Sequence, residues 1–553
     1  MNQFSDCYLS NERMGIQGFV QFCKKNKVLV ILVSISLLII YGIKLSFYSI
    51  SADTELFMAN DRNMGWVERG RFGLVLLQKV WYIQEFNPYV AFLVTFLLIW
   101  IFSLTWTYLI AIFDNRLEKN SALIVFALLF STFPIWVEQF SFVIQSAEIA
   151  FILVACPVVT YYFFEGIVSN NKTSILVSIV LLAFLTSVYQ SIIILFCCSV
   201  LACFILFRLH TDYSAKMYRS LCLKLAVGCI SALILYFLSY KLVSIVWYLN
   251  HPKGEILGDL IGWKNGFTYG LVRILGYGFS ITLGNLTSLV EMMKPLIVSS
   301  ANQGIDQYAK MMRGSPFASL LLIPLTITFW GFIIADLKKK RVVAGKLLYL
   351  ISALVIPFSI MLLSIALGVI TADRSQFCMP FALGFMAYFV LKKTKRRTLY
   401  LILMSVFLLV SVRQAEISAQ LYYSDYIKYE EDVRIAYDLH HRISLVAPQL
   451  PDDSDTLVPV AFVGKKFTNY YQYPSFMTGE VLGKSFFDDE KEWRVIAFLK
   501  SLGINYSSPS EQQMEQARRL AQKMPSYPAK DSVITNGDYV IVKFSDTSYP
   551  FGK

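Results

Sequence analysis

Two acidic side chains follow the first long apolar segment of the chain, and their position suits them to proton transfer. Asp53 and Glu55 are separated by a single threonine. A carboxylate held at the end of a membrane span can accept the proton of a hydroxyl group as that hydroxyl attacks, which is general-base catalysis. Asp53 has an alternative role as the cap of a short helix beginning near Glu55, because Asp is a favoured N-cap residue. The sequence leaves open which of the two acids is the base.

Three arginines are candidate ligands for a phosphate group. Arg69 and Arg71 end the same loop, and Arg374 follows a much later apolar segment. The planar guanidinium fork matches the oxygens of a phosphate, and stabilising a departing phosphate is what a glycosyl transfer requires. The alternative is that these side chains reach from span ends to lipid headgroups.

Further polar and aromatic residues fall near the same ends of the apolar segments, and they are candidates for binding a sugar or an acceptor: Trp66, Glu138, Glu148, Tyr189 and Gln190. Each has a structural alternative. Glu148 is either a ligand or a structural carboxyl group, Tyr189 and Gln190 can instead satisfy a tight turn, and aromatic residues such as Trp66 are common at membrane interfaces.

No metal or cofactor site is predicted. The nine cysteines and four histidines show no ligand spacing, and the Asp53–Glu55 pair has no obvious further ligands. No phosphate-binding glycine motif is present either. We therefore expect no bound cofactor, while the metal dependence of the reaction stays open.

The composition indicates a membrane protein. The 553 residues are 56% hydrophobic and 16% charged, with a mean hydropathy of +0.54, whereas soluble proteins carry about 25% charged residues. Apolar runs of about 20 residues, the length of a membrane-spanning helix, recur along the chain. We predict an α-helical polytopic membrane protein with about 11 spans: 28–48, 88–112, 121–136, 144–165, 173–188, 190–208, 222–247, 315–337, 347–370, 378–391 and 398–413.

Basic residues predict the orientation. Lys24, Lys25 and Lys27 precede the first span, and the segments 338–346 and 392–397 are rich in Lys and Arg. Cytoplasmic loops carry such an excess, so the N-terminus is expected in the cytoplasm. An odd number of spans then places the C-terminus outside.

The predicted organisation has three parts. A cytoplasmic segment, 1–27, precedes a membrane domain, 28–413, whose long outer loops are 49–87 and 248–314; an extracytoplasmic α/β domain, 414–553, follows. The formal charge of +12 divides into about +15 before Arg413 and −3 from there onward. This asymmetry is read as a topology signal, so membrane lipids are expected partners and nucleic acid is not.

The tail alternates between helical and strand-like patterns, which indicates a small α/β domain. Helices are predicted at 422–445, 490–502 and 511–524, and strands at 456–463 and 538–544. Two further helices, 72–86 and 271–296, are expected to lie along the membrane surface. The alternative for 271–296 is a re-entrant pair, which would leave the parity of the spans unchanged.

Short motifs lie along nearly the whole chain: Ala52-Asp53, Gly65-Trp66, Gly70-Arg71, Phe133-Pro134, Glu138-Gln139-Phe140-Ser141-Phe142, Tyr189-Gln190, Tyr426, Asp432, Ala436, Tyr527-Pro528 and Tyr539-Val540-Ile541-Val542-Lys543. In these motifs the chain resembles the serotype-converting O-antigen glucosyltransferases, the Gtr type II family of GT-C membrane enzymes. Family members often have two adjacent acids after the first span, whereas here Thr54 separates them.

The resemblance implies a GT-C-like fold and a position in the bacterial cytoplasmic (inner) membrane. It implies transfer of a sugar, typically glucose, from undecaprenyl phosphate to a cell-surface glycan such as O-antigen, a lipopolysaccharide modification. The lipid-linked sugar is the donor and the glycan the acceptor. Asp53 matches the place of the catalytic base, in a pocket expected to include the arginines.

Two other functions are considered. A transporter or flippase of lipid-linked saccharides would place polar residues near the bilayer midplane, while here charges collect at span ends. A glycan polymerase would also use arginines in outer loops, but it would join two lipid-linked glycans.

Overall fold

The computed structural model describes residues 14–51, 53–59, 65–81, 86–115, 120–210, 215–250, 319, 321–339, 346–367, 373–447, 457–466, 476–488 and 492–546. The surface helix predicted at 271–296 lies outside these residues, as does most of the predicted outer loop 248–314.

Helices account for most of the described chain. In chain order they are α1 (Ile16–Lys25), α2 (Lys27–Ser46), α3 (Thr54–Ala59), α4 (Phe72–Trp81), α5 (Pro88–Phe113), α6 (Ser121–Ser131), α7 (Ile135–Ser141), α8 (Val143–Ser169), α9 (Lys172–Val188), α10 (Ile192–His210), α11 (Ala215–Asn250), α12 (Leu322–Lys339), α13 (Lys346–Leu367), α14 (Cys378–Lys393), α15 (Arg397–Val446), α16 (Glu492–Ser501) and α17 (Glu511–Ala521).

Within the described residues, each predicted span overlaps a helix. Six of the described helices are long and apolar enough to cross a membrane. The number of candidate spans rises to seven if the bent pair α6–α7 is counted as one span. A membrane protein is therefore supported, while the number of eleven crossings stays a prediction. The predicted surface helix at 72–86 is α4 as far as Trp81.

The span predicted at 121–136 is broken. Helix α6 ends at Ser131, α7 begins at Ile135, and the two are bent by 44°. Pro134 lies in the break. Because proline has no backbone N–H and its ring clashes with the preceding turn, it ends or kinks a helix.

The chain divides into two compact units. The first unit comprises Met1–Gly42, Gly65–Phe140 and Gln145–Ala419, and the second comprises Ile43–Met64, Ser141–Ile144 and Gln420–Lys553. The second unit thus includes both candidate acids as well as the tail, and the first unit includes the three candidate arginines.

A three-stranded sheet lies in the second unit. Strands β1 (Val460–Val463), β2 (Val533–Asn536) and β3 (Tyr539–Lys543) have the order β1-β3-β2, with β1 parallel and β2 antiparallel to β3. Helices α16 and α17 and strands β1 and β3 lie at predicted positions, whereas the helix predicted at 422–445 is the C-terminal part of α15 and continuous with the span predicted at 398–413. Strand β2 was not predicted, although Gly537-Asp538 after it is a typical two-residue hairpin connection.

Asp432 joins helix α15 to the loop before α16. Its carboxylate accepts hydrogen bonds from the Ser485 hydroxyl (2.7 Å) and the Phe486 backbone N–H (2.8 Å). It also lies 3.4 Å from the ammonium of Lys428. Asp432 is fully buried, so removing it leaves donors without an acceptor.

We predict that Asp432→Ala destabilises the protein by on the order of 3 kcal/mol, because unsatisfied buried donors carry their full desolvation cost. Thermal unfolding of the detergent-solubilised protein, followed by tryptophan fluorescence, measures the change. Asp531→Ala, at an exposed position, is the matched control. Equal midpoints for the two variants would contradict the structural role of Asp432.

Candidate active site

Asp53 starts helix α3 through its backbone rather than its side chain. Its carbonyl accepts the Phe57 N–H at 3.3 Å, the first hydrogen bond of the helix. Its φ angle is +73°, a left-handed conformation that Asp tolerates better than most residues. The carboxylate pairs instead with Arg494. Asp53 therefore begins the helix with its carbonyl, and its carboxylate does not act as the predicted side-chain cap.

Arg494, on helix α16, contacts both candidate acids. One terminal nitrogen pairs with Asp53 Oδ1, and Nε lies 3.1 Å from Glu55 Oε1. The side chain of Asp53 is 35% exposed, whereas that of Glu55 is 0% exposed. Arg494 could not be identified from the sequence, because no local spacing connects a tail helix to a loop more than four hundred residues earlier.

The two acids differ in their electrostatic environment. Burial raises the pKa of Glu55 to about 7, with the Arg494 guanidinium opposing and the Asp53 charge adding to this rise. A carboxyl group with a pKa near 7 can exchange a proton at neutral pH. Solvent can reach the carboxylate of Asp53, whereas burial controls the ionisation of Glu55.

A buried polar network holds the segment that precedes the acids. Ser51 donates to Asp425 at 3.0 Å, and the Gly483 backbone N–H donates to the other oxygen at 3.2 Å. The Lys44 ammonium donates to the Ser49 carbonyl at 2.6 Å and lies 3.7 Å from Asp425. This network fixes the chain just before Asp53.

In the first unit, Arg71 is held by one hydrogen bond and two aromatic rings. Its guanidinium donates to Gln145 Oε1 at 3.0 Å. It also lies 4.5 Å from the ring centre of Tyr189 and 5.3 Å from that of Trp66, a cation–π arrangement. Arg69 lies 5.9 Å from the Trp66 ring.

Side chains from the turn between α9 and α10 and from helix α11 hold the loop that carries these arginines. Gln190 donates to the Arg69 carbonyl at 2.7 Å and to the Tyr236 hydroxyl at 3.2 Å. The Tyr236 hydroxyl in turn donates to the Gly70 carbonyl at 3.1 Å. Gly70 has a φ of +75°, which favours glycine. Gln190 therefore supports the arginine loop, a role the sequence did not predict.

The charges of Arg69 and Arg374 act on the guanidinium of Arg71. Burial lowers the pKa of Arg71, the Tyr189 hydroxyl opposes this, and the charges of Arg69 and Arg374 lower it further. Arg374 lies in a single 3-10 turn, Asp373–Ser375. Among the described residues, no carboxylate is within ion-pair distance of Arg69 or Arg71. Arginine stays charged in proteins, so the cluster favours an anion.

Two fully buried acids lie on the neighbouring helices α7 and α8. Glu138 is on α7, and Glu148 is one turn beyond Gln145 on α8. Among the residues that the structure describes, neither carboxylate oxygen of Glu148 has a hydrogen-bond partner, and the buried indole N–H of Trp66 has no acceptor. Both groups can therefore bind a polar ligand. Within the described ranges, no three His, Cys, Asp or Glu side chains are arranged to hold a metal ion.

A family model described as glucosyl transferase GtrII matches residues 42–391. The chain belongs to the GtrII glucosyl transferase family. This confirms the resemblance to the Gtr type II family, although the motifs quoted from beyond residue 391 lie outside the match. Searches of curated proteins and of solved structures give no match. The GtrII match includes both candidate acids and all three arginines, and it ends before Arg494.

We predict that Glu55 makes stability depend on pH between about 4.5 and 7. Its pKa is raised on folding from 4.5 to about 7, so its neutral form contributes stability that is complete below pH 4.5. That contribution, on the order of 3 kcal/mol, is lost as the pH rises through 7.

Thermal unfolding at pH 5 and pH 8 tests this dependence. The midpoint should fall less between the two pH values in Glu55→Gln than in the wild type, because glutamine does not ionise. Glu515→Gln, at an exposed position, should behave like the wild type. Identical pH dependence in all three proteins would refute the prediction.

Proposed function

We propose that this glucosyl transferase family member moves glucose from a polyprenyl-phosphate donor to a cell-surface glycan, such as O-antigen, on the outer face of the bacterial cytoplasmic membrane. The observation that supports this most is the gathering of Arg69, Arg71 and Arg374, in which the first two have no paired carboxylate among the described residues. Like charges that repel one another are stabilised when an anion binds between them.

The donor phosphate is the anion that best fits this cluster. A charge-assisted hydrogen bond to phosphate contributes about 1.5–3 kcal/mol, and Arg71 is already oriented by Gln145 and two rings. An oriented guanidinium loses less conformational entropy when the ligand binds. A donor carried on a lipid phosphate also requires no nucleotide-binding fold.

Groups beside the arginines suit the sugar. The rings of Trp66 and Tyr189 already contact Arg71, and aromatic rings commonly pack on the apolar faces of sugars. The unsatisfied Trp66 N–H and Glu148 carboxyl group can bond sugar hydroxyls, which would remove the cost of leaving them buried and unpaired. Glu138 stays a further candidate for this role.

The proposed reaction is a displacement at the anomeric carbon. An acceptor hydroxyl oxygen forms a bond to this carbon while the bond to the phosphate oxygen breaks, and polyprenyl phosphate leaves. The hydroxyl proton passes to a carboxylate. Asp53 is the proposed base because its carboxylate is the more exposed of the two, and Glu55 stays its alternative.

We predict that Arg71→Ala raises the KM for undecaprenyl phosphate glucose at least tenfold, because one charged hydrogen bond to phosphate is lost. The KM for lipopolysaccharide should change little. Both are measured by glucose transfer in proteoliposomes. Arg519→Ala, at an exposed position, is the control, and an unchanged donor KM in Arg71→Ala would exclude Arg71 from phosphate binding.

We predict that Asp53→Asn lowers transfer by at least a hundredfold while the protein level in the membrane stays normal, because the amide cannot accept the proton. The same proteoliposome assay measures the rate, and Asp531→Asn is the control. Full activity in Asp53→Asn would remove it as the base. Movement of the lipid-linked sugar between leaflets without glucose transfer would favour a flippase.

A further inference from the structure

We infer that Arg494 is a positioning residue for the proton-accepting carboxylates, so that the tail helix α16 is part of the catalytic apparatus. This inference rests on the proposed function of Asp53 and Glu55. It goes beyond that function because the arginine lies in a segment that the family match does not reach.

The geometry assigns one side of the guanidinium to each acid. A terminal nitrogen pairs with Asp53 Oδ1, and Nε faces Glu55 Oε1 at 3.1 Å. No described residue donates a hydrogen bond to Asp53 Oδ2. The arginine therefore fixes one oxygen of the more exposed acid and leaves the other available to a substrate hydroxyl.

Arginine suits this position better than lysine. Its planar group presents several donors in a fixed arrangement, whereas the lysine ammonium is a single point charge on a flexible chain. Two acids separated by one residue repel each other when both are ionised. A cation that contacts both allows at least one of them to stay charged and correctly oriented.

The packing of α16 fixes the place of Arg494. The two residues that follow it, Val495 and Ile496, are buried in an apolar cluster, as are Phe498 and Leu499. Ile50, three residues before Asp53, belongs to the same cluster. The arginine and the acids are thus supported by one continuous core of the second unit.

The proposed glucose transfer needs an ionised carboxylate to accept the proton of the acceptor hydroxyl. The charged groups acting on Glu55 are Arg494 from α16 and Asp53 from its own segment. Without the guanidinium, both burial and the Asp53 charge would favour protonated Glu55. In that case Glu55 would keep its proton to higher pH, and the Asp53 carboxylate would be less well oriented toward the acceptor hydroxyl.

The first experiment measures protonation without any substrate. A hydrophobic carbodiimide labels protonated carboxyl groups in apolar surroundings, and peptide mass spectrometry gives the labelled fraction of Glu55 at each pH. In full-length Arg494→Gln we expect the labelling midpoint to rise by roughly 1 pH unit, since an opposite charge nearby lowers a carboxyl pKa by about 1–3.

The second experiment measures transfer from undecaprenyl phosphate glucose to lipopolysaccharide. We expect Arg494→Gln to lower kcat ten- to a hundredfold, with little change in the donor KM, and to move the acid limb of the pH–rate profile to higher pH. Arg494→Lys should recover part of kcat. Arg442→Gln also loses an ion pair in the second unit, with Asp438 at 2.8 Å, but should leave both profiles unchanged.

The outcomes separate the two proposals. An unshifted labelling midpoint, or an unchanged kcat in Arg494→Gln, would overturn the positioning role while leaving the proposed function intact. Equal pH shifts in Arg494→Gln and Arg442→Gln would also overturn it, because the effect would then be a general loss of stability. Full transfer by both Asp53→Asn and Glu55→Gln would instead overturn the proposed role of the acids, whatever the labelling shows.

Discussion

A carboxylate next to apolar segments needs a partner for its charge, and in this protein a single guanidinium supplies it. Arg494 contacts Asp53 and Glu55 together, although they differ greatly in exposure. Removing a buried charge from water costs several kcal/mol unless a counter-charge is well placed. The orientation of the Asp53 carboxylate and the protonation of Glu55 both depend on this contact.

Among the described residues, Arg69 and Arg71 of the first unit show the opposite arrangement. Arg71 is oriented by Gln145 and by aromatic rings, none of which neutralises its charge. The two acids already share a cation, whereas Arg69 and Arg71 contact only neutral side chains among the described residues, so their charge can still attract an anionic ligand. This contrast is the physical reason for assigning the anion to the arginines.

Much of the fold could be predicted from the sequence because apolar runs and turn residues act locally. The helices at the predicted spans, the tail helices and strand β3 follow from such patterns, and the family follows from short motifs. The bend near Pro134 could have been predicted from the proline itself. The expectation that the acids and the arginines share one pocket stays a prediction.

The contacts made by the site residues could be predicted less well. Asp53 and Arg71 were identified because charged residues at span ends are unusual. Their partners Gln145 and Arg494 could not be identified in this way, because these contacts join residues far apart in the sequence and form only when the chain folds. Gln190 was identified, but its support of the Arg69 carbonyl depends on where Tyr236 lies.

The GtrII match ends at residue 391, while the counter-ion of its two acids comes from 492–501. A shortened chain that contained only the matched residues would keep the acids and lose the cation between them. Natural variation in helix α16 therefore bears on catalysis, even though comparisons confined to the shared family region would overlook it. Homologues with divergent tails are where a substitute for this guanidinium should be sought.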